Sequence, residues 1–357
     1  MGDVLISLLI VFFTLFPISY FVLYFVLNRS KAVGLKKRET TLPRWASQSK
    51  PVWGGIAFVF VSFIGILLLF GIEKGSLNIF CAENMVLMFT ATIAFMMGLA
   101  DDLMNASPYT KFFIQLLIGI IFISAGIYIH FFNNDILNYL LTIFWVVGIM
   151  NSFNMLDNMD GITSTVSITL LSGFLFVGLF TGTYDYIVLP LVVLPILIIF
   201  LLFFNRYPSK MYMGDNGSQF MGALLAGLGI IFVWNHEITC DCVSDLSVIL
   251  AVLLFYLLPL TDTTTVTVNR LMSGVSPFKG DKNHTTHNLV YAGIKEQYVP
   301  LLLFVINGIS VALGTLLLVE NVSVNSWVRI LFVVYVVLVF TILYINTKIK
   351  HNENKNS

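Results

Sequence analysis

Long apolar runs recur along the whole chain and limit its fold more than any other feature. Hydrophobic residues make up 58% of the 357 residues and charged residues only 11%, whereas an average soluble domain has roughly 25% charged residues. A helix needs about 20 consecutive, mostly apolar residues to cross a bilayer. Apolar windows suited to this lie at 4–27, 51–72, 84–100, 112–130, 137–150, 162–180, 186–204, 220–234, 246–268, 298–319 and 328–347.

These windows predict an all-α fold, a polytopic transmembrane bundle of about eleven spans. The alternation of polar and apolar residues that is typical of a membrane barrel does not occur in the sequence. We therefore expect one integral membrane domain over residues 1–347, followed by a polar cytoplasmic tail at 348–357.

The basic residues predict the orientation of the bundle. Of the 19 Lys and Arg residues, 17 fall in alternate loops and in the C-terminal tail, and only Lys74 and Arg329 fall on the other side. Because cytoplasmic loops are enriched in Lys and Arg, we expect the basic side to be cytoplasmic and the N-terminus to lie outside. Acidic residues also number 19, so no excess of positive charge favours nucleic acid as a partner.

The segment 151–161 has an amide or a carboxylate at every third position between two apolar runs. These residues are Asn151, Asn154, Asp157 and Asp160. On one helix they would cover about half of the circumference. A charge at the bilayer centre costs roughly 2.5–3.5 kcal/mol, so we expect this half-face at the membrane edge or in a wet cavity. A capped polar helix end would account for the segment alone, but hard cations such as Mg²⁺ prefer such oxygen ligands.

Other acidic residues stand near cytoplasmic ends of the predicted spans. Asp101 and Asp102 are adjacent, and adjacent carboxylates repel each other unless a cation or a proton lies between them. They indicate a metal-binding or general-base pair, with Lys111 close behind, although helix termination would also explain them. Asp262 lies inside the ninth apolar run, where it either pairs with Arg270 or lines a groove.

Asp215 lies in a glycine-rich turn between two apolar runs. Its carboxylate and the amide groups of the turn can face a ligand. Ser218 is expected to cap the following helix, whose positive end favours phosphate. Tyr212 can stack on a nucleotide base, or it can serve as an interfacial aromatic residue.

Basic and histidine side chains complete the polar groups on this side of the membrane. Lys50 stands at the entrance of a span, just before Gly54 and Gly55. His284 and His287 are spaced by three residues and would share a helix face. Neighbouring cations make this pair better suited to a diphosphate than to structural zinc.

Four ordered motifs resemble those of the polyprenyl-phosphate N-acetylhexosamine-1-phosphate transferases, glycosyltransferase family 4. They read D-D-x-x-N at 101–105, N-x-x-N-x-x-D-x-x-D-G at 151–161, M-G-D-x-G-S at 213–218 and S-P-F-x-x-D-x-x-H-x-x-H at 276–287. The family includes the muramoyl-pentapeptide translocase and the enzymes that start O-antigen, teichoic-acid and capsule lipid carriers. The match runs from about residue 50 to residue 289.

The resemblance implies a reaction at the cytoplasmic face of the bacterial inner membrane. Undecaprenyl phosphate attacks the β-phosphorus of a UDP-N-acetylhexosamine, UMP leaves, and the sugar stays on the membrane lipid as a polyprenyl diphosphate. GlcNAc 1-phosphate is the first candidate for the transferred group. Mg²⁺ is the implied cofactor, and family analogy also allows a homodimer.

The resemblance also implies roles for individual residues. Mg²⁺ would be bound by Asn154 and Asp215. The catalytic residues would be Asp101 and Asp102, which deprotonate or orient the lipid phosphate, together with His284 and His287, which steady phosphates. The substrate-binding residues would be Lys50, Asn151, Asp157, Asp160, Tyr212 and Lys282, with Tyr212 stacked on uracil.

The chain departs from the family pattern at three places. Asn105 stands where the first motif often ends in Asp. Asn158 replaces the first Gly of D-G-x-D-G, and Thr286 replaces a His of H-x-H-H. These departures resemble variation among the enzymes that start surface polysaccharides, and they weaken any choice of sugar.

A cation- or proton-coupled transporter is the alternative from another functional class. Transporters place their charged residues near the bilayer midplane, whereas the enzyme needs them at loop–span junctions on one side. Most carboxylates on the basic side fall at such junctions, which favours the enzyme. The positions of these carboxylates in the folded chain distinguish the two hypotheses.

Overall fold

The computed structural model describes residues 2–33, 50–72, 77–236, 245–274, 276, 284–319 and 326–349. In this part of the chain every regular element is a helix. The helices are α1 (Gly2–Val33), α2 (Gly54–Ile72), α3 (Ala82–Met104), α4 (Pro108–Ser124), α5 (Asp135–Leu156), α6 (Ile162–Thr181), α7 (Val188–Phe200), α8 (Gly214–Gly229), α9 (Asp245–Phe255), α10 (Leu257–Met272), α11 (Thr285–Tyr291), α12 (Val299–Leu318) and α13 (Ser326–Lys348). Short π-helical segments, Leu201–Asn205 and Ile230–Trp234, extend α7 and α8.

Each predicted apolar window coincides with helical structure, so the all-α fold with several membrane spans is confirmed. Within the described residues nine helices are long and apolar enough to cross a bilayer. Helix α4 is shorter, with 17 residues, and α9 and α10 together form a pair bent by 80°. The count of eleven spans and the orientation of the termini stay predictions.

The bend between α9 and α10 has a local cause in the sequence. Pro259 lies in the first turn of α10 and has no N–H to donate to the carbonyl of Phe255, the last residue of α9. The loss of this hydrogen bond weakens the helix around Tyr256, and proline is a common cause of such sharp kinks. The predicted ninth span is not one straight helix, and Asp262 lies on the limb that follows the bend.

Helix α8 forms the centre of the bundle, and 89% of its span is buried. It packs chiefly against α3 and α5. Its sequence is rich in Gly and Ala, and small residues let membrane helices approach each other closely. By contrast, α1 and α13 have only 22% and 17% of their spans buried, so most of their apolar surface suits contact with lipid.

The closest approach between α3 and α8 occurs at Gly98. A Cβ atom at this position would lie 2.2 Å from the carbonyl oxygen of Asp215. Only glycine fits here, because the first turn of α8 lies directly against α3. One turn further along α3 come Asp101 and Asp102, so this contact brings the acidic pair beside Asp215.

We expect Gly98→Ala to destabilise the protein by about 1–3 kcal/mol, since the added methyl group overpacks the contact between α3 and α8. Thermal unfolding of the purified protein in detergent measures the effect. Gly148→Ala in α5 is the matched control, because a Cβ there meets nothing within 4 Å. The control should unfold at or above the wild-type temperature, and equal behaviour of the two variants would contradict the tight contact.

Candidate active site

Asp102 of α3 binds the first turn of α8. Its Oδ2 accepts hydrogen bonds from the backbone N–H of Asn216 at 3.0 Å and from the Asn216 side chain at 2.6 Å. The same side chain donates to the carbonyl of Val52 at 2.6 Å. A carboxylate is favoured at a helix N-terminus by the helix dipole, so Asp102 holds the end of α3 against the start of α8. Asn216 in turn links the start of α8 to Val52, just before α2.

The start of α8 corrects the expectation for Ser218. The helix begins at Gly214, whose φ of 76° lies in the left-handed region, and Ser218 is one turn inside the helix rather than at its cap. Its hydroxyl instead donates to Oδ1 of Asn154 at 3.0 Å. The capping prediction was wrong because Asp102, from a distant part of the chain, already accepts a hydrogen bond from a backbone N–H of the first turn, that of Asn216.

Lys111 of α4 connects Asp101 and Asp215. Its ammonium group forms ion pairs with Oδ2 of Asp101 and, at 3.0 Å, with Oδ2 of Asp215. Ser107 at the N-cap and Pro108 in the first turn fix the beginning of α4, and with it the position of Lys111. The positive charge of Lys111 thus offsets the mutual repulsion of the Asp101 and Asp215 carboxylates.

Asn154 lies in the last turn of α5, beside the second turn of α8, through its hydrogen bond with Ser218. The hydroxyl of Ser218 also lies 3.5 Å from the backbone oxygen of Asp215. The predicted metal ligands Asn154 and Asp215 are therefore neighbours at the same end of the bundle as Asp101. Asn151, one turn earlier, donates to Oε1 of Gln115 at 2.9 Å.

A second cluster contains three of the predicted substrate-binding residues. Asp160 accepts two hydrogen bonds from Ser209, one from its N–H and one from its hydroxyl, both at 2.8 Å. Nζ of Lys50 lies 3.6 Å from Oδ2 of Asp160 and 5.2 Å from the ring centroid of Tyr212. Backbone hydrogen bonds from Tyr212 to Pro51 and from Gly54 to Tyr212 hold the two segments together.

The four polar residues of 151–161 do not form one helical half-face, as the three-residue spacing predicted. Helix α5 ends at Leu156, so Asn151 and Asn154 are helical, whereas Asp157 is the C-cap and Asp160 lies in the turn that follows. Gly161 has a φ of 79° and donates its N–H to Asn205. The chain therefore leaves α5 after Leu156 and turns at Gly161 into α6.

The two predicted histidines lie together, with ring centroids 5.6 Å apart. Nδ1 of His284 lies 2.8 Å from Oδ2 of Asp262, whose other oxygen accepts from the N–H and hydroxyl of Thr285 at 2.8 and 2.6 Å. The partner of Asp262 is thus His284. The sequence offered pairing with Arg270 or a place lining a groove, because His284 lies 22 residues further along the chain and comes back to Asp262 only in the folded protein.

Three of these contributors escaped sequence analysis as members of the site. Lys111 was noted only as a neighbour, although it is the sole basic residue of the segment 101–111. Ser209 and Asn216 carry no charge, and no motif letter specifies them, although the carboxylates that they bind, Asp160 and Asp102, lie in motifs. Lys282 was predicted as a substrate-binding residue and lies outside the described residues.

The donor atoms at the first cluster fit Mg²⁺. Carboxylate oxygens of Asp101 and Asp215 and the amide oxygen of Asn154 are the hard ligands that this ion prefers. Within the described residues there is no group of three His, Cys, Asp or Glu side chains that could hold a metal ion. Mg²⁺ commonly uses one or two carboxylates together with substrate phosphates and water.

Comparison with known proteins gives two kinds of relative. A Bacillus subtilis (strain 168) protein named probable undecaprenyl-phosphate N-acetylglucosaminyl 1-phosphate transferase is 28% identical over 299 residues, which cover 81% of this chain and 78% of the relative. A Prochlorococcus marinus (strain MIT 9312) protein named phospho-N-acetylmuramoyl-pentapeptide-transferase is 28% identical over 303 residues, covering 75% and 77%. A Streptococcus pneumoniae (strain CGSP14) protein of the same name is 25% identical over 233 residues, covering 61% and 69%.

The family comparison covers the centre of the chain. Residues 84–233 match the model of glycosyl transferase family 4. This region contains α3 to α8 and the first three of the four motifs, including Asp101, Asn154 and Asp215. The resemblance indicated by the motifs is confirmed, since residues 84–233 match glycosyl transferase family 4.

Proposed function

We propose that this protein transfers an N-acetylhexosamine 1-phosphate from a UDP-sugar to undecaprenyl phosphate, in a Mg²⁺-dependent reaction that releases UMP. GlcNAc 1-phosphate is the first candidate group, since the relative from Bacillus subtilis carries that activity in its name. The product would be a membrane lipid that starts a cell-surface polysaccharide. The reaction would take place at the cytoplasmic face of the bacterial inner membrane, where the basic loops are predicted to lie.

The observation that carries this proposal is the meeting of distant acidic motifs through Lys111. Asp101 and Asp215 are far apart in sequence, yet one ammonium group pairs with both. Asn154 joins them through Ser218. In-line phosphoryl transfer needs mainly positioning and neutralisation of charge, and this cluster of oxygen donors beside a cation suits that task.

The residues divide the work of the reaction as follows. Asp101, Asn154 and Asp215 would hold Mg²⁺, which supplies neutralisation of the diphosphate when bound. Lys111 keeps the two carboxylates together. The phosphate of the lipid forms the new bond to the β-phosphorus, and the bond from that phosphorus to the oxygen bridging the two phosphates breaks, so that UMP leaves with its electron pair.

The second cluster would bind the nucleotide. Tyr212 offers an aromatic face, and Lys50 lies over it while Asp160 and Ser209 fix the lysine ammonium group. Asp157 lies at the end of α5 beside this cluster. His284 and His287 would contact phosphate oxygens, with Asp262 orienting His284 through Nδ1.

The positions of the carboxylates favour the enzyme over the transporter. Asp101 lies in the last turn of α3, Asp157 caps α5, and Asp215 lies in the first turn of α8. All three are therefore at helix ends that meet at one end of the bundle. A transporter would be expected to place such charges near the midplane.

The direct test incubates the purified protein with undecaprenyl phosphate, Mg²⁺ and a panel of UDP-sugars, and measures UMP. We expect release with at least one UDP-N-acetylhexosamine and loss of release when EDTA removes the metal. Asp215→Asn should raise the Mg²⁺ concentration needed for half-maximal activity. No release with any sugar, or release that persists in EDTA, would overturn the proposal.

We expect Lys111→Met to lower kcat by roughly 10²-fold, because it removes a fixed positive charge from the reacting phosphates and leaves two carboxylates in mutual repulsion. Lys295→Met is the control, since Lys295 is exposed just before the short helix Glu296–Tyr298. Steady-state kinetics of UMP release measures both variants. An active Lys111→Met enzyme would mean that the lysine has no role in the reaction.

Asp262→Asn should lower kcat by about 10²-fold through displacement of His284, a loss typical of a misplaced catalytic group. The substitution keeps the shape of the side chain but removes the charge that holds Nδ1. Asp135→Asn, at the exposed start of α5, serves as the control. If both variants turn over at the wild-type rate, the contact between Asp262 and His284 is only structural.

A further inference from the structure

Asn158 and Thr286 come from separate parts of the chain and lie in direct contact. The Thr286 hydroxyl donates a hydrogen bond to Oδ1 of Asn158 at 2.7 Å. Thr286 is fully buried, and Asn158 is partly buried. A residue without a side-chain acceptor at position 158 could not make this contact.

The contact joins two walls of the candidate site. Asn158 is fixed by its own hydrogen bond to the carbonyl of Met155 at 3.0 Å, and it lies in the turn between Asp157 and Asp160. Thr286 lies between His284 and His287 at the start of α11. The nucleotide cluster around Lys50 and Asp160 is thereby connected to the two histidines.

The contact also limits the size of the side chain at position 286, because Thr286 is fully buried. Protein interiors are close-packed, so a larger or smaller side chain there would leave a clash or a gap. The hydrogen bond further requires both partners, since a buried hydroxyl left without an acceptor is costly.

We propose that Asn158 and Thr286 act as one unit that positions α11 against the turn 157–160 and so contributes to the choice of UDP-sugar. The inference rests on the proposed function, because it concerns the donor side of that reaction. Both are positioning residues. Their shared contact fixes the spacing between the nucleotide cluster and His284, and the sugar diphosphate would have to fit within that spacing.

The test is a double-mutant cycle with Asn158→Gly, Thr286→His and the combined variant. The readout is the ratio of kcat/KM for UDP-GlcNAc to that for UDP-GalNAc, two sugars that differ at one hydroxyl. Each single variant should change this ratio at least tenfold. The effect of the combined variant should not equal the sum of the two single effects: the ratio should either return towards the wild-type value or reach a new preference. KM for undecaprenyl phosphate should stay within about twofold in every active variant.

A second cycle covers variants that fail to fold. Asn158→Ala and Thr286→Val each remove one partner of the shared hydrogen bond, and their effects on the unfolding temperature in detergent should combine non-additively, as expected for residues in contact. Thr265→Val is the matched control, because Thr265 is fully buried in α10 and its hydroxyl makes no hydrogen bond within the described residues. It should not couple to Asn158→Ala.

The possible failures can be told apart. An inactive wild-type protein in the UMP assay overturns the proposed function and the role in sugar choice with it. Additive changes of the sugar ratio in an active protein overturn this inference alone. Additive unfolding temperatures overturn the contact itself, whatever the activity.

Discussion

The site depends on the close approach of α3 to the first turn of α8. Gly98 permits this approach, since any side chain there would overlap the backbone of Asp215. Asp101 and Asp102, which follow on α3, make different contacts. Asp102 binds the N-terminus of α8 through Asn216, and Asp101 lies beside Asp215 with Lys111 between them. The glycine at position 98 thus allows both contacts, one that holds a helix terminus and one that brings Asp101 beside Asp215.

The polar contacts around this core form connected clusters rather than one open basin. Lys111 joins α3, α4 and α8, Ser218 joins α8 to α5, and Asp160 joins the turn after α5 to Lys50 and Ser209. The carboxylates of Asp101, Asp160 and Asp215 each have a partner of opposite charge. This arrangement offsets the cost of placing ionised groups in an apolar surrounding, and it orients them before any substrate binds.

Much of the fold follows from the sequence because length and apolarity alone decide whether a segment can span a membrane. The order of the motifs also identified Asp101, Asn154 and Asp215 as neighbours. Contacts across the fold were less accessible. The three-residue spacing of 151–161 suggested one helix, but nothing local revealed that α5 would end at Leu156 and leave Asp157 and Asp160 beyond it. For Asp262 the sequence offered only Arg270 or a groove, whereas His284 reaches it through the return of α11.

The tight seam at Gly98 also has a mechanical consequence. Because the backbones of α3 and α8 touch at Gly98, the two helices cannot slide past each other there. The positions of Asp101 and Asp215 relative to each other are therefore fixed. The other side of the site is held differently, because hydrogen bonds of Asp262 and Asn158 hold the start of α11, which also packs against α13. A molecule that enters the site therefore meets one side fixed by backbone contact and another fixed by side-chain hydrogen bonds and packing.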